Sequence, residues 1–260
     1  WFRCDGNEDL RGDSAAGDLR SEQYRQIDSE FVYLKLPRFN QGDVDRLDSL
    51  IRVNHSVIYH TRNLIIDLRG NPGGNAASSP KMIQLIYTNP IVYPPWQYRS
   101  SPEYIRSKEA VVADLKKNDP YHKLLSAESL LDRLRDHPGE LVFAGDSMIR
   151  KADSVSRYPE RVAFLIDRDA GSSSEFFTFE GKQSRKVTLF GQNTAGAMDY
   201  GEDQSFSLSC GKYLIFIPWG RNGWIERFHY RIDNIGFKPD VVIPSDCGDW
   251  IDFVRKYWAK

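Results

Sequence analysis

Short apolar runs separated by polar stretches recur along the chain and predict the strands of a sheet. Leu64–Leu68 is apolar enough to be buried on both faces, as in a sheet that helices cover on each side. The runs that we interpret as strands are Phe31–Leu36, Leu64–Leu68, Val162–Ile166, Val187–Phe190 and Val241–Ile243. Apolar residues at helical spacing occupy 43–59, 76–87, 176–182 and 250–258. The pattern therefore predicts strand–turn–helix units.

Two turns rich in small residues connect strands to the helices that follow them. One, the glycine turn, is Arg69-Gly-Asn-Pro-Gly-Gly74, and the other, the serine turn, is Asp169-Ala-Gly-Ser-Ser-Ser-Glu175. A serine at such a turn can be an exposed nucleophile, and the free N–H groups of a helix start can hold an oxyanion. Helix capping by serine and a tight glycine turn are the simpler interpretations of each motif taken alone. The glycine turn lacks the patterns of dinucleotide-binding and phosphate-binding loops.

The segments outside this alternation suggest how the chain is organised. Residues 1–29 are polar, and we interpret them as a linker or N-terminal arm. Two helices are predicted within an insertion at about 99–138, which is expected to cover one edge of the main sheet. A hairpin is predicted around Cys210, and 228–232 is interpreted as a further strand.

Composition excludes several classes of function. The net charge of −1 gives no reason to expect nucleic acid or an anionic membrane surface as a partner. No apolar run reaches the length of about 18 residues that a membrane span needs. The three cysteines are too few for a disulfide framework, and their spacing fits no metal motif. The chain begins at Trp1, which leaves a processed chain or an excised fragment open.

Three segments in their order along the chain resemble the C-terminal (tail-specific) processing peptidases and the tricorn core protease. They are Ile66–Gly74, Asp169–Glu175 and Asp233–Asp240, and the resemblance covers roughly 31–258. It implies an α/β fold, a crotonase-like or ClpP-like spiral of β-β-α units with a helical insertion. Residues 30–260 are then expected to form one tail-specific-protease-like catalytic domain.

The resemblance also implies a nucleophile and two oxyanion donors. The nucleophile of the family is the serine three residues before the glutamate of the serine turn, which here is Ser172 before Glu175. The donors would be the N–H of Ser173 and the N–H of Gly73 or Gly74. Donors fixed in the backbone need no reorganisation as charge develops.

The partner of the serine differs between the two branches of the family. The tail-specific branch uses a lysine about 25 residues after the serine, but Ala197 occupies that position, and Lys182 and Lys186 lie elsewhere. The tricorn-like branch uses a histidine and an acid instead. Asp233, in Asp233-Asn-Ile-Gly, fills the slot of the acid, with a simple turn-forming role as an equal alternative.

None of the five histidines is a convincing general base. They are His55, His60, His122, His137 and His229. The first two flank a predicted helix end, the next two lie in the insertion, and His229 lies four residues before Asp233. We therefore expect the histidine to come from a preceding domain of a longer protein, or to be absent.

These features predict a serine endopeptidase domain that cleaves unfolded or C-terminal segments through an acyl-enzyme on Ser172. No metal, nucleotide or other cofactor is implied. The expected partners are a peptide or protein substrate and an upstream PDZ and histidine-bearing domain, and family habit suggests a bacterial cell envelope or periplasm. The alternative is a catalytically silent member that binds a peptide or lipid in the same cleft. The serine and Asp233 signatures argue against an acyl-CoA enzyme of the crotonase class.

Overall fold

The computed structural model describes residues 2–4, 23–118, 121–244 and 246–259, and for 2–4, 121 and 122 it describes the backbone alone. The fold is mixed α/β and divides into two compact units. The core unit comprises 23–91, 150–198 and 232–259. The helical unit comprises 92–149 and 199–231, together with the strand at 2–4.

In chain order the elements are β1 (Phe2–Cys4), β2 (Tyr24–Gln26), β3 (Phe31–Lys35), α1 (Gln41–Val53), α2 (His55–Ile58), β4 (Asn63–Asp67), α3 (Pro80–Ile86), β5 (Ile91–Tyr93), β6 (Gln97–Arg99), α4 (Pro102–Asn118), α5 (Tyr121–Asp136), β7 (Leu141–Phe143), β8 (Met148–Arg150), β9 (Arg161–Ile166), α6 (Ser173–Lys182), β10 (Val187–Gly191), β11 (Tyr200–Ser207), β12 (Tyr213–Arg221), α7 (Trp224–Arg227), β13 (Val241–Val242) and α8 (Trp250–Trp258).

A six-stranded sheet in the order β13-β10-β9-β4-β3-β2 forms the centre of the core unit. Its strands are parallel except β2, which pairs antiparallel with β3 at the edge. The central strands β4 and β9 are buried on both faces, which explains their continuous apolar character. Val254 of α8 packs on one face, and on the other the ring of Phe177 of α6 lies 4.8 Å from that of Phe164, tilted by 33°. Burial of this apolar surface is the main force that fixes the sheet.

The helical unit has its own sheet and a small apolar core. Its strands run in the order β1-β12-β6-β7, and β11 pairs with β12 as a hairpin longer than the one predicted. The helices α4 and α5 occupy the predicted insertion and bury Tyr104 and Leu134 against Val142 of β7. Among the described helices, none combines the length and apolar character needed to cross a membrane.

The structure differs from the predicted elements in two places. Tyr24–Gln26 lies within the segment interpreted as an arm, but it is a strand because its backbone pairs with Val32–Leu34 of β3. Residues 1 and 5–22 of that segment lie outside the described residues. Residues 228–232 form no strand, since the chain leaves α7 through His229 with φ of 57°. The assignment of 30–260 to one catalytic domain stays a prediction.

Candidate active site

The glycine turn and the serine turn lie side by side because the strands that precede them are neighbours. β4 and β9 pair in parallel with Asp67 opposite Leu165, so their carboxyl ends meet at one edge of the sheet. A Cβ built on Gly73 would lie 2.6 Å from the Cβ of Ser172 and 2.8 Å from the nitrogen of Ser173. The core unit thus brings the two predicted turns into direct contact.

Ser172 has an unusual backbone and a side chain that does not cap the helix. It occupies the N-cap position of α6 with φ of 53° and ψ of −121°, and its hydroxyl makes no capping hydrogen bond. A non-glycine residue in a sparsely populated backbone region costs about 1–3 kcal/mol, and such strain clusters at functional sites. The capping interpretation is therefore wrong for this hydroxyl.

The three consecutive serines have different environments. The hydroxyl of Ser173 donates to the carbonyl oxygen of Gly74 at 2.6 Å, which ties the helix start to the glycine turn. The hydroxyl of Ser174 is completely buried and has no hydrogen-bond partner within the described residues. Ser172 alone combines partial exposure with a strained backbone.

The amides of the two glycines differ in their engagement. The N–H of Gly73 donates to Oδ1 of Asn71 at 2.9 Å, and the buried Asn71 is itself held by a 2.8 Å bond from Nδ2 to the carbonyl of Leu36. Within the described residues, the N–H groups of Gly74 and Ser173 make no hydrogen bond. Gly74 and Ser173 therefore carry the available donors, and the N–H of Gly73 is occupied.

Glu175 is a buried clamp between α6 and the loop after β10. Its carboxylate accepts hydrogen bonds from Thr194 Oγ1 at 2.6 Å, from the N–H of Gly196 at 2.7 Å and from the N–H of Ala197 at 2.8 Å. Burial raises the pKa of Glu175, and the hydrogen bonds from Thr194, Ala197 and Gly196 act in the opposite direction. The glutamate used to recognise the serine turn thus has a structural role of its own, which sequence reasoning missed.

Replacing Glu175 by glutamine should lower the free energy of unfolding by about 2–3 kcal/mol, because an amide nitrogen would face a backbone donor. Urea unfolding measures the change. Glu160→Gln is the matched control, since Glu160 makes only an exposed ion pair with Arg62 and should change stability by less than about 0.5 kcal/mol. Equal effects of the two substitutions would contradict the clamp.

Asp233 lies exposed on a turn that packs against the clamped loop. The N–H of Asn234 donates to the carbonyl of Gly196 at 3.0 Å, and the same loop reaches the serine turn, since the N–H of Ala195 donates to the carbonyl of Ala170 at 2.9 Å. Oδ2 of Asp233 accepts from the side chain of Asn234 at 3.3 Å. The serine turn and the Asp233 turn are therefore linked through residues 194–197.

Lys186 lies at the opposite end of the sheet from Ser172. β10 pairs in parallel with β9, with Val187 opposite Val162, so Lys186 precedes the amino ends of these strands. Ser172 follows their carboxyl ends, about 20 Å away along a six-residue strand. Lys186 donates to the carbonyls of Ser156 and Pro159 at 3.2 and 3.3 Å, and this geometry agrees with its dismissal as a catalytic lysine.

Burial lowers the pKa of Lys186 from 10.5 to about 8. Between these two values the unfolded chain holds the proton that the folded chain has lost, so stability should rise as the pH increases from about 8 towards 10.5. Urea unfolding at pH 7.5 and 9.5 should show this rise, and Lys186→Met should reduce it. The exposed Lys212, substituted in the same way, should leave the rise intact; a rise that survives Lys186→Met would contradict the prediction.

Two histidines lie in the core unit, within its described residues, and neither is near the serine turn. His55 stacks on Tyr59, and His60 contacts the carbonyl of Ser56 through Nδ1 at 2.7 Å. Both precede β4 and therefore lie at the amino end of the strands, opposite to Ser172. His137 and His229 belong to the helical unit, and the side chain of His122 is not described.

A buried carboxylate at the end of β4 fixes the start of the glycine turn. Asp67 is fully buried, accepts from the hydroxyl of Tyr33 at 2.7 Å and binds Arg69 through Nε at 2.9 Å and Nη2 at 2.7 Å. Burial, followed by the charge of Asp67, raises the pKa of Tyr33. An acid inside an otherwise apolar strand was the available signal. The described residues contain no group of side chains suited to a metal ion.

Comparison with known proteins identifies relatives of this chain. Residues 30–243 match the model of peptidase family S41. Among curated proteins, none is similar enough to count as a match.

Solved structures share the fold at low identity. Mature CPAF is 19% identical with a TM-score of 0.58, over 82% of this chain and 46% of that one. Mature CPAF complexed with lactacystin is 19% identical with a TM-score of 0.61, over 88% of this chain and 51% of that one. A putative peptidase from Parabacteroides merdae is 13% identical with a TM-score of 0.50, over 89% of this chain and 59% of that one. The chain thus spans about half the length of these relatives.

Proposed function

The chain belongs to peptidase family S41, and on that premise we propose that it is the catalytic domain of a serine endopeptidase that acts through an acyl-enzyme on Ser172. One observation carries the proposal. Ser172 sits on a strained strand-to-helix turn, its hydroxyl is not used as a cap, and the glycine turn lies against it. A nucleophile needs this kind of exposed and preorganised position.

The proposed reaction has two halves. The oxygen of Ser172 attacks the peptide carbonyl as its proton passes to a general base. The base then gives this proton to the nitrogen as the C–N bond of the tetrahedral intermediate breaks, which releases the amine and leaves an ester on Ser172. Water hydrolyses the resulting ester and restores the serine. In both halves the N–H groups of Ser173 and Gly74 would hold the oxyanion, and each such donor is typically worth about 10²–10³ in kcat. Gly73, the other glycine that the sequence suggested, would support this turn instead, because its N–H is occupied by Asn71.

The general base in this proposal is a histidine from outside the chain, and Asp233 would orient it and stabilise its protonated form. The position of the Asp233 turn on the loop that contacts the serine turn supports this assignment. An upstream PDZ domain, unfolded or C-terminal peptide substrates, and a place in the bacterial envelope belong to the same proposal, as does the crotonase-like spiral of the core unit. Cell fractionation tests the envelope location.

Labelling with a fluorophosphonate probe, which phosphonylates activated serines, tests the function. Trypsin should release the 169–182 peptide of the full-length protein, and fragmentation should place the adduct on Ser172 rather than on Ser173 or Ser174. An adduct on another residue would refute the nucleophile. No adduct, together with saturable binding of a peptide or lipid, would favour the catalytically silent alternative.

A further inference from the structure

The hydrogen-bond ladder between β4 and β9 continues past the strand ends through a side chain. The N–H of Leu68 donates to the carbonyl of Leu165 at 2.9 Å. The next rung of an evenly spaced parallel ladder would join the N–H of Gly70 to the carbonyl of residue 167. That carbonyl accepts from Ala170 at 3.1 Å instead, because the chain has begun to turn. The carboxylate of Asp167 takes its place and accepts the N–H of Gly70 at 3.1 Å to each oxygen.

The same carboxylate also binds the serine turn. The N–H groups of Asp169 and Ala170 each donate to Oδ1 of Asp167 at 3.1 Å. Oδ1 therefore accepts from three backbone amides, one in the glycine turn and two in the serine turn, and Oδ2 only shares the amide of Gly70. A single acceptor atom joins the bases of two turns that are 97 residues apart in sequence.

We propose that Asp167 is a positioning residue whose Oδ1 sets the separation of the glycine and serine turns, and thereby of the N–H groups of Gly74 and Ser173. This inference rests on the proposed function, since these two amides are the proposed oxyanion donors. Nearer to Ser172, the turns are tied by the N–H of Gly171 to the carbonyl of Asn71 at 3.0 Å and by the Ser173 hydroxyl. Those bonds connect the tips, and Asp167 connects the bases.

Substitution of Asp167 in the full-length protein tests the inference. Asp167→Ala removes the acceptor, and a displacement of the order of 1 Å can cost about 10²-fold, so kcat for a peptide substrate should fall by roughly 30- to 100-fold. KM should change by less than about threefold, because the donors act on the transition state more than on the bound substrate. An unchanged kcat in Asp167→Ala would overturn the proposal.

The conservative variant separates acceptor geometry from charge. Asp167→Asn keeps Oδ1, which all three amides contact, and sets an amide nitrogen only against the N–H of Gly70, so its kcat should fall by less than about tenfold. If Asp167→Asn were as slow as Asp167→Ala, the charge rather than the acceptor would matter, and the proposal would be wrong.

Asp28→Ala is the matched control for general loss of stability. Oδ1 of Asp28 also accepts two backbone amides, from Glu30 at 2.8 Å and Phe31 at 2.9 Å, but at the amino end of β3. The Asp28→Ala variant should lower the melting temperature as Asp167→Ala does, and it should leave kcat unchanged. A kcat loss in Asp28→Ala equal to that in Asp167→Ala would attribute both to destabilisation and overturn the positioning role.

Amide hydrogen exchange gives a readout that is independent of activity. The N–H of Gly70 should be protected in the wild type and in Asp167→Asn and should exchange faster in Asp167→Ala. Failure of the wild type to react with a fluorophosphonate would mean that the proposed function is wrong. An active wild type in which Asp167→Ala leaves the exchange of Gly70 unchanged would mean that this inference alone is wrong.

Discussion

Ser172→Ala should reduce peptide hydrolysis by at least about 10⁴-fold and abolish labelling by a fluorophosphonate, because it removes the atom that forms the acyl-enzyme. The fold should survive, since the hydroxyl makes no capping hydrogen bond. Circular dichroism and the melting temperature check the fold, and kcat/KM for a peptide substrate checks the activity. Retained hydrolysis in this variant would end the proposal of Ser172 as nucleophile.

The neighbouring serine supplies the control for this result. Ser174→Ala removes a buried hydroxyl that has no hydrogen-bond partner among the described residues, so activity should stay within about twofold and stability should hold or rise slightly. Ser172 and Ser174 lie two residues apart, where the turn meets the helix. A loss of activity in both variants would therefore indicate damage to the turn rather than loss of a nucleophile.

Gly73→Ala should lower activity by about 10²-fold or more and destabilise the fold by roughly 3 kcal/mol. Gly73 has φ of +92°, and a Cβ there would lie 2.6 Å from the Cβ of Ser172, 2.7 Å from the carbonyl oxygen of Gly171 and 2.8 Å from the nitrogen of Ser173. Two of these neighbours are backbone atoms, so the two turns must separate. Urea unfolding and kcat/KM measure the two effects.

Gly70→Ala is the control within the same turn. Gly70 has φ of +69°, but a Cβ there would meet no atom of the described part of the chain within 4 Å. It should therefore carry the conformational cost alone, about 1–2 kcal/mol, with activity reduced by less than about tenfold. If Gly70→Ala proved as damaging to activity as Gly73→Ala, contact between the turns would not be what Gly73 provides.

The apolar pattern predicted the central strands and most helices of the core unit well. Val162–Ile166 differs from β9 by one residue, and the helix at Trp250–Trp258 is the same in both. Burial on both faces leaves a strong signal in sequence, because most positions of such a strand must be apolar. The strand at Tyr24–Gln26 left no comparable signal, since an edge strand of exposed and half-buried residues is held by backbone hydrogen bonds that any sequence can make.

By itself the sequence determined the order of the motifs, the small residues of the two turns and the family. Only the tertiary structure decided how those turns are used. Parallel pairing of β4 with β9 placed Gly73 against Ser172, a buried Asn71 occupied the amide of Gly73, and the carboxylate of Asp167 completed the ladder between the turns. The contacts of Gly73 with Ser172 and of Gly70 with Asp167 join residues far apart in the chain, so no local pattern contains them. Many of the groups that bind are backbone amides and carbonyls. These are the same at every residue, so only packing selects which of them meet.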